Sequence, residues 1–235
     1  MVYPFTAVSG YWIVKNKFEK EYFKWFYNTL QINCPYVFFG NADSIELVKF
    51  YRGSLPTHYI ECTVDEFYTF KYKEYMITHE RHCPSQELNM IWNEKLFFIE
   101  KAAKINPFQS EFFGWIDAGI CVYRNLAAPT QQFPDLKKLA LLPKNKFIFT
   151  TSDNNIFEPQ RINTYYHYIA GTSYILHKSF IYLFLEKYKE YLELFLKKKD
   201  IIYTDQVILT RIFNDYPDLF HCLGHGYGEI IPLLY

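Results

Sequence analysis

Three residues combine a reactive side chain with a setting that would expose it to a ligand: Asp117, Asp205 and His225. Asp117 ends the apolar run Phe112–Ile116 and is followed by Ala118 and Gly119, too small to crowd the carboxylate. Such a run reads as a buried strand, and in open α/β sheets ligands bind off the carboxyl ends of strands. A carboxylate and an imidazole, here Asp117 and His225, can hold Mn²⁺ or Mg²⁺ and leave other positions to water or phosphate oxygens. A second carboxylate, Asp205 in Thr204-Asp205-Gln206, can take a proton or orient a hydroxyl. Ala170-Gly171-Thr172 adds small residues where a backbone can come close to a ligand. Taken singly, each has a plainer structural reading. Asp117 would cap a turn, Asp205 would stabilise a helix start, and His225, between Gly224 and Gly226, would be a solvated loop residue.

The elements that must carry these residues follow from apolar spacing. Residues 2–9 read as a first strand, 15–30 as an amphipathic helix, 36–39 as a strand, 44–51 as a helix and 57–62 as a third strand. That alternation begins a parallel α/β sheet, with right-handed crossovers setting helices on both faces. Residues 65–81 are assigned to a helix, although their apolar residues form no clean stripe. Residues 85–105 have Ser85 as N-cap, Glu87 in the first turn and an apolar face from Leu88 to Ala103. Lys95 lies beside that face and Arg81 just before the helix, and both read as exposed cations. Lys95 stands out because its helix feeds directly into the Asp117 strand.

A Pro-interrupted stretch follows Gly119, with a short helix at 135–139 and a strand at 146–151. Residues 152–160 read as a polar surface loop or lid holding Asp153, Asn154 and Asn155. A strand at 173–177, a helix at 179–199, an apolar helix at 207–213 and a last strand at 220–223 complete the chain. No repeat or linker interrupts it, so residues 1–235 read as one domain.

Half of the 235 residues are hydrophobic and 21% are aromatic, which supplies a large core. The formal net charge is zero, against the basic excess of a nucleic-acid binder. The five cysteines are scattered and form no C-x-x-C pair, so they read as reduced thiols of a cytoplasmic protein. Neither a signal peptide nor a transmembrane segment is visible. Trp115, Tyr165, Tyr166, Tyr168 and Tyr227 lie near the candidate motifs, but with so many aromatics each reads first as core.

WIDAG after a helix bearing Lys95, an A-G-T strand, T-D-Q before an apolar helix, and P-D-L-F resemble, in that order, the HtrL/YibB family of proposed glycosyltransferases. The resemblance spans about residues 85–220 and, more loosely, the N-terminal strands. It implies a GT-A-like α/β domain with a Rossmann-like, mainly parallel central sheet and helices on both faces. It also implies a nucleotide-sugar donor, a glycan, lipid-linked or protein acceptor, and a Mn²⁺ or Mg²⁺ cofactor. By position Asp117 looks like the surviving carboxylate of a D-x-D metal motif. Ala118, Gly119, Lys95, Gly171 and Thr172 would meet the donor, Asp205 would be catalytic, and His225 would be a second metal ligand. A location peripheral to a membrane is compatible with such acceptors.

This chain departs from the pattern in one respect: D-A-G stands where D-x-D is expected, so a carboxylate is missing. If no metal binds, Lys95 or another cation must offset the diphosphate that leaves. The missing carboxylate also admits a second reading, a glycosyltransferase-like binding protein without catalysis. A phosphohydrolase of the haloacid dehalogenase type ranks last, because residues 117–121 do not supply D-x-D-x-T/V.

Overall fold

Seven strands form one sheet: β1 (Phe5–Tyr11), β2 (Tyr36–Gly40), β3 (Thr57–Glu61), β4 (Phe112–Ile116), β5 (Phe147–Thr151), β6 (Ile169–His177) and β7 (Phe220–His225). Their order across the sheet is β3-β2-β1-β4-β6-β5-β7. The computed structural model describes residues 2–15, 21–152 and 156–235. β3, β2, β1 and β4 pair in parallel, β6 pairs antiparallel with both β4 and β5, and β7 is parallel to β5. Only β6 therefore runs against the rest, and the α/β class with a mainly parallel sheet is observed.

β1, β2, β4 and β5 are buried along their whole length. Both sheet faces are covered there, which is why β2 and β4 read as unbroken apolar runs rather than alternating ones. Phe113 and Trp115 of β4 face one core, and Phe112 and Ile116 face the other. The first core is closed by α3 (Gln86–Ile105), α5 (Lys178–Leu196) and α6 (Asp205–Asp215). The second is closed by α1 (Glu21–Leu30), α2 (Ala42–Arg52), the short α4 (Leu136–Ala140) and α7 (Ile230–Leu234). Gly114 has no side chain because a Cβ there would meet the Phe5 ring at 2.9 Å and Ile175 at 3.1 Å.

Several boundaries differ from the sequence reading. α3 starts as expected, with Ser85 Oγ accepting from Leu88 N. The helix expected at 65–81 is instead two 3-10 segments, Val64–Glu66 and Tyr68–Tyr75. The cause is a tertiary anchor: Tyr68 N, Thr69 N and Thr69 Oγ1 all donate to the Glu94 carboxylate on α3. Without an apolar stripe, the segment has no reason to keep α-helical periodicity. α5 begins one residue earlier than expected, at Lys178, and is capped by the His177 ring, which accepts from Ser179 N. β7 runs two residues further than expected, so His225 is a strand residue. Residues 16–20 of the first expected helix, and Asp153, Asn154 and Asn155 of the expected lid, lie outside the described residues. No helix among the described residues is long and apolar enough to cross a membrane, and all five cysteines are free thiols.

Candidate functional site

The reversal of β6 assembles the site. Because β6 runs antiparallel to β4, its beginning lies at the carboxyl end of β4, and Asp117 N donates to Thr172 O at 2.9 Å. Ala170-Gly171-Thr172 and Asp117, 53 residues apart in the case of the Ala170 start, therefore become neighbours through one ladder. α6 packs over the same end of β6. Thr210 Oγ1 accepts from Tyr168 N, which ties α6 to the entry of that strand. Asp205, the first residue of α6, is thereby set beside Gly171. Its carboxylate also suits the positive end of the helix.

Lys95 enters this corner from the middle of α3. Its ammonium lies 3.0 Å from Asp117 Oδ1 and 3.1 Å from Asp205 Oδ2, and donates to Gly171 O at 2.8 Å. The contact to Asp205 is an ion pair off the line of a hydrogen bond, since Asp205 Oδ2 has no aligned donor among the described residues. Trp115 Nε1 donates to Asp117 Oδ1 at 2.6 Å, and the Trp115 ring lies 5.5 Å from the ammonium. Lys95 is 3% exposed, so its expected place on the surface is corrected: the sheet, α5 and α6 enclose the helix position that its sequence neighbours left ambiguous.

The same burial sets the charges. Burial pulls the Lys95 pKa down, but the carboxylates of Asp117 and Asp205 outweigh it and hold the ammonium above its usual range. Burial pushes the Asp205 carboxyl up to about 6; the ammonium of Lys95 opposes this and the charge of Asp117 adds to it. A buried polar network fixes the approach to Asp205. Asn93 Nδ2 donates to Tyr203 O at 3.0 Å, and Tyr188 OH donates to Asn93 Oδ1 at 2.9 Å.

Above these residues opens a cavity of about 510 Å³, within the usual size range of small-molecule sites. Asp117, Ala118, Gly119, Lys95, Gly171, Thr172 and Asp205 all line it, as do Trp115, Tyr165 and Tyr227 among the expected aromatics. Tyr166 and Tyr168 do not. Arg81 is exposed and lies outside it. The sequence reading missed Tyr11 and Trp12 at the end of β1, Tyr22 of α1, Trp92, His167 and Arg124. Position was the available signal for Arg124, which sits in the segment leaving a strand that ends in a candidate site residue.

The small residues also make room within the protein itself. A Cβ on Gly119 would meet the Tyr22 ring at 2.9 Å, and Tyr22 OH accepts from Gly119 N. A Cβ on Gly171 would lie 2.7 Å from Asp205 Oδ2 and 2.6 Å from Gln206 Cγ. Both glycines make room for the protein's own side chains. The Thr172 hydroxyl is buried without a hydrogen-bond partner among the described residues, beside the cavity.

His225 stands apart. It is exposed at the end of β7, with its ring Nδ1 3.2 Å from Thr151 Oγ1, and it does not line the cavity. β6 and β5 separate its strand from β4, so three strand spacings, roughly 14 Å, lie between the strands that carry Asp117 and His225. The structure does not bring these two residues to one ion. Among the described residues there is no cluster of three or more His, Cys, Asp or Glu side chains able to hold a metal. Where Asp117 and Asp205 converge, the Lys95 ammonium already stands between them, so with Lys95 in place this corner does not fit a divalent cation.

Fold and site together define an α/β protein with a cavity off the carboxyl ends of its parallel strands. The chain belongs to the HtrL_YibB family, described as bacterial protein of unknown function, whose sequence model matches residues 57–230. It is 25% identical to Protein HtrL of Escherichia coli (strain K12), over 97% of this chain and 88% of that protein. Among solved structures it overlaps 4-diphosphocytidyl-2C-methyl-D-erythritol synthase from Anaerococcus prevotii DSM 20548 at a TM-score of 0.47 and 17% identity, covering 97% of this chain and 90% of that one. It also overlaps the apo-form glycosyltransferase GlyE of Streptococcus pneumoniae TIGR4 at 0.44 and 9%, covering 93% and 44%.

Proposed function

We propose that this protein is a glycosyltransferase that moves a sugar from a nucleotide-sugar donor to a carbohydrate or glycoconjugate acceptor. The observation that carries this reading is the Asp117–Lys95–Asp205 centre at the base of an aromatic-lined cavity off the carboxyl end of β4. The cavity is large enough for a nucleotide sugar and offers both π-faces and convergent polar groups. The Thr172 hydroxyl, without a hydrogen-bond partner among the described residues, is one such group.

Within this reading Asp117 and Thr172 orient the donor, while Gly171 sets Lys95 and Asp205 through its carbonyl and its missing side chain. Asp205 has a carboxyl pushed up to about 6 and lines the cavity, so it is ionised yet basic enough to act near neutral pH. An acceptor hydroxyl attacks the anomeric carbon, the bond to the diphosphate oxygen breaks with its electron pair leaving on that oxygen, and the hydroxyl proton passes to Asp205.

A thermal-shift panel of nucleotide sugars, followed by a transfer and hydrolysis assay on those that bind, tests the proposal. A bound donor raises the apparent Tm, and turnover should then depend on Asp205. Binding of a nucleotide sugar without transfer to any carbohydrate or hydrolysis would support the non-catalytic binding protein instead. No stabilisation by any nucleotide sugar would remove the proposal.

A further inference from the structure

We infer that the cation position of this centre is filled by the Lys95 ammonium, and that the site takes a diphosphate-bearing ligand without a divalent metal, with Arg124 meeting the ligand's charge. The oxygens around Lys95 Nζ are two carboxylates and a backbone carbonyl: Asp117 Oδ1 at 3.0 Å, Asp205 Oδ2 at 3.1 Å and Gly171 O at 2.8 Å. That is a set a hard divalent cation would select. Here the Lys95 ammonium holds it, hydrogen-bonded to Gly171 O and ion-paired with the two carboxylates.

Lys95 has little freedom to leave. It projects from the middle of a 20-residue helix, it is 3% exposed, and the Trp115 indole stands beside it. A metal at the same oxygens would have to sit against a fixed positive charge in a buried corner, where repulsion is weakly screened. His225, the other expected ligand, is on a strand that does not reach the cavity.

Formal charge supports the assignment. Asp117 and Asp205 supply two negative charges to the cavity lining, and Lys95 and Arg124 supply two positive ones. An incoming diphosphate therefore meets no net negative lining that a metal would have to offset. Held between the carboxylates, Lys95 offsets one of their two charges and leaves direct contact with the ligand to Arg124. That guanidinium is held 4.1 Å over the Trp25 ring, and its planar fork suits phosphate oxygens better than an ammonium does. The assignment to Lys95 concerns the free protein and stands apart from the proposed reaction. The assignment to Arg124 rests on the nucleotide-sugar reading.

The test uses the full chain, with Mn²⁺ alone and then UDP and GDP as probes. Titration of Mn²⁺ followed by its electron paramagnetic resonance signal should show no stoichiometric site in the parent protein, and EDTA should leave its Tm unchanged. Lys95→Ala empties the three oxygens, so Mn²⁺ should raise the Tm of this variant by several degrees and not that of the parent. One bound Mn²⁺ per parent chain, displaced by Asp117→Asn, overturns the inference, and this measurement decides the matter even where Lys95→Ala fails to fold. A folded Lys95→Ala that gains no Mn²⁺ binding also overturns it. UDP or GDP should bind equally with and without EDTA, and Arg124→Ala should weaken that binding about tenfold or more. EDTA-sensitive nucleotide binding counts against the inference. Absence of binding by either nucleotide removes the Arg124 assignment and counts against the proposed function, while the Mn²⁺ titration still decides the role of Lys95.

Discussion

Lys95 Nζ lies 2.8 Å from the carbonyl oxygen of Gly171, the residue whose missing side chain also admits the Asp205 carboxylate. A single glycine thus positions both charges of the buried pair. Gly171→Ala would place a Cβ 2.7 Å from Asp205 Oδ2, and Asp205 at a helix start has no long side chain to bend away. We expect a stability loss of about 1–3 kcal/mol in urea denaturation, the usual range for overpacking, together with loss of sugar transfer. A variant with parental stability and turnover would show that α6 yields freely and that Gly171 has no positioning role.

Asp117→Asn keeps an oxygen able to accept from Trp115 Nε1 and removes the charge. The Asp117 side chain is 27% exposed, so its pairing with Lys95 is partly screened and stability should fall by about 1 kcal/mol. Donor affinity should fall at least tenfold. Calorimetric titration with the donor, alongside denaturation, separates the two effects. A large stability loss with intact intrinsic turnover would make Asp117 a structural strand-end residue.

Asp205 links folding to pH in a stated direction. Its carboxyl sits at about 6 in the folded chain and near 3.9 when unfolded. The fold therefore favours the protonated form. Its contribution is fully present below about pH 4 and is lost as pH rises through 6, a difference of order 2–3 kcal/mol. Asp205→Asn should flatten the stability profile between pH 4 and 6 relative to the parent. Activity should run the other way, rising with pH through about 6 as the base ionises. If the parent and Asp205→Asn profiles superimpose over that window, the carboxyl is not perturbed and its assignment as base loses its support.

Glu94 provides a second, independent pH link away from the cavity. Burial pushes its carboxyl up to about 7, against three donors from Tyr68 and Thr69 that favour the charged form. The sign matches that of Asp205: the contribution is present below about pH 4 and lost as pH rises through 7. Glu94→Gln should remove this slope, of order 3 kcal/mol, and should loosen the 3-10 segment Tyr68–Tyr75, as read by hydrogen exchange at Thr69 and its neighbours. Unchanged exchange there would mean that α3 packing alone holds the segment.

The sequence by itself determined most of the elements, and the reason is hydrophobic burial. Strands covered on both faces are mostly apolar, so Phe112–Ile116 was legible as a buried strand and Asp117 as the polar residue at its end. α3 was legible because its cap, first-turn acid and apolar face agree. Asp205 was legible as a carboxylate at a helix start. None of these readings required knowledge of what packs against what.

Tertiary structure alone decided which of these residues meet. Strand direction is not written in strand composition, and only the reversal of β6 sets Gly171 beside Asp117. Lys95 was read as exposed because periodicity describes one apolar face, whereas α3 is covered on several sides by elements distant in sequence. Arg124 and Tyr22 enter the cavity through loop and helix placement that no local pattern encodes. His225 shows the converse: its glycine neighbours suggested a ligand loop, but the strand order puts it three strand positions beyond β4, at the edge of the sheet. Local burial preferences are short-range and visible along the chain. The position of a charge relative to its partners depends on long-range pairing, which exists only once the sheet has formed.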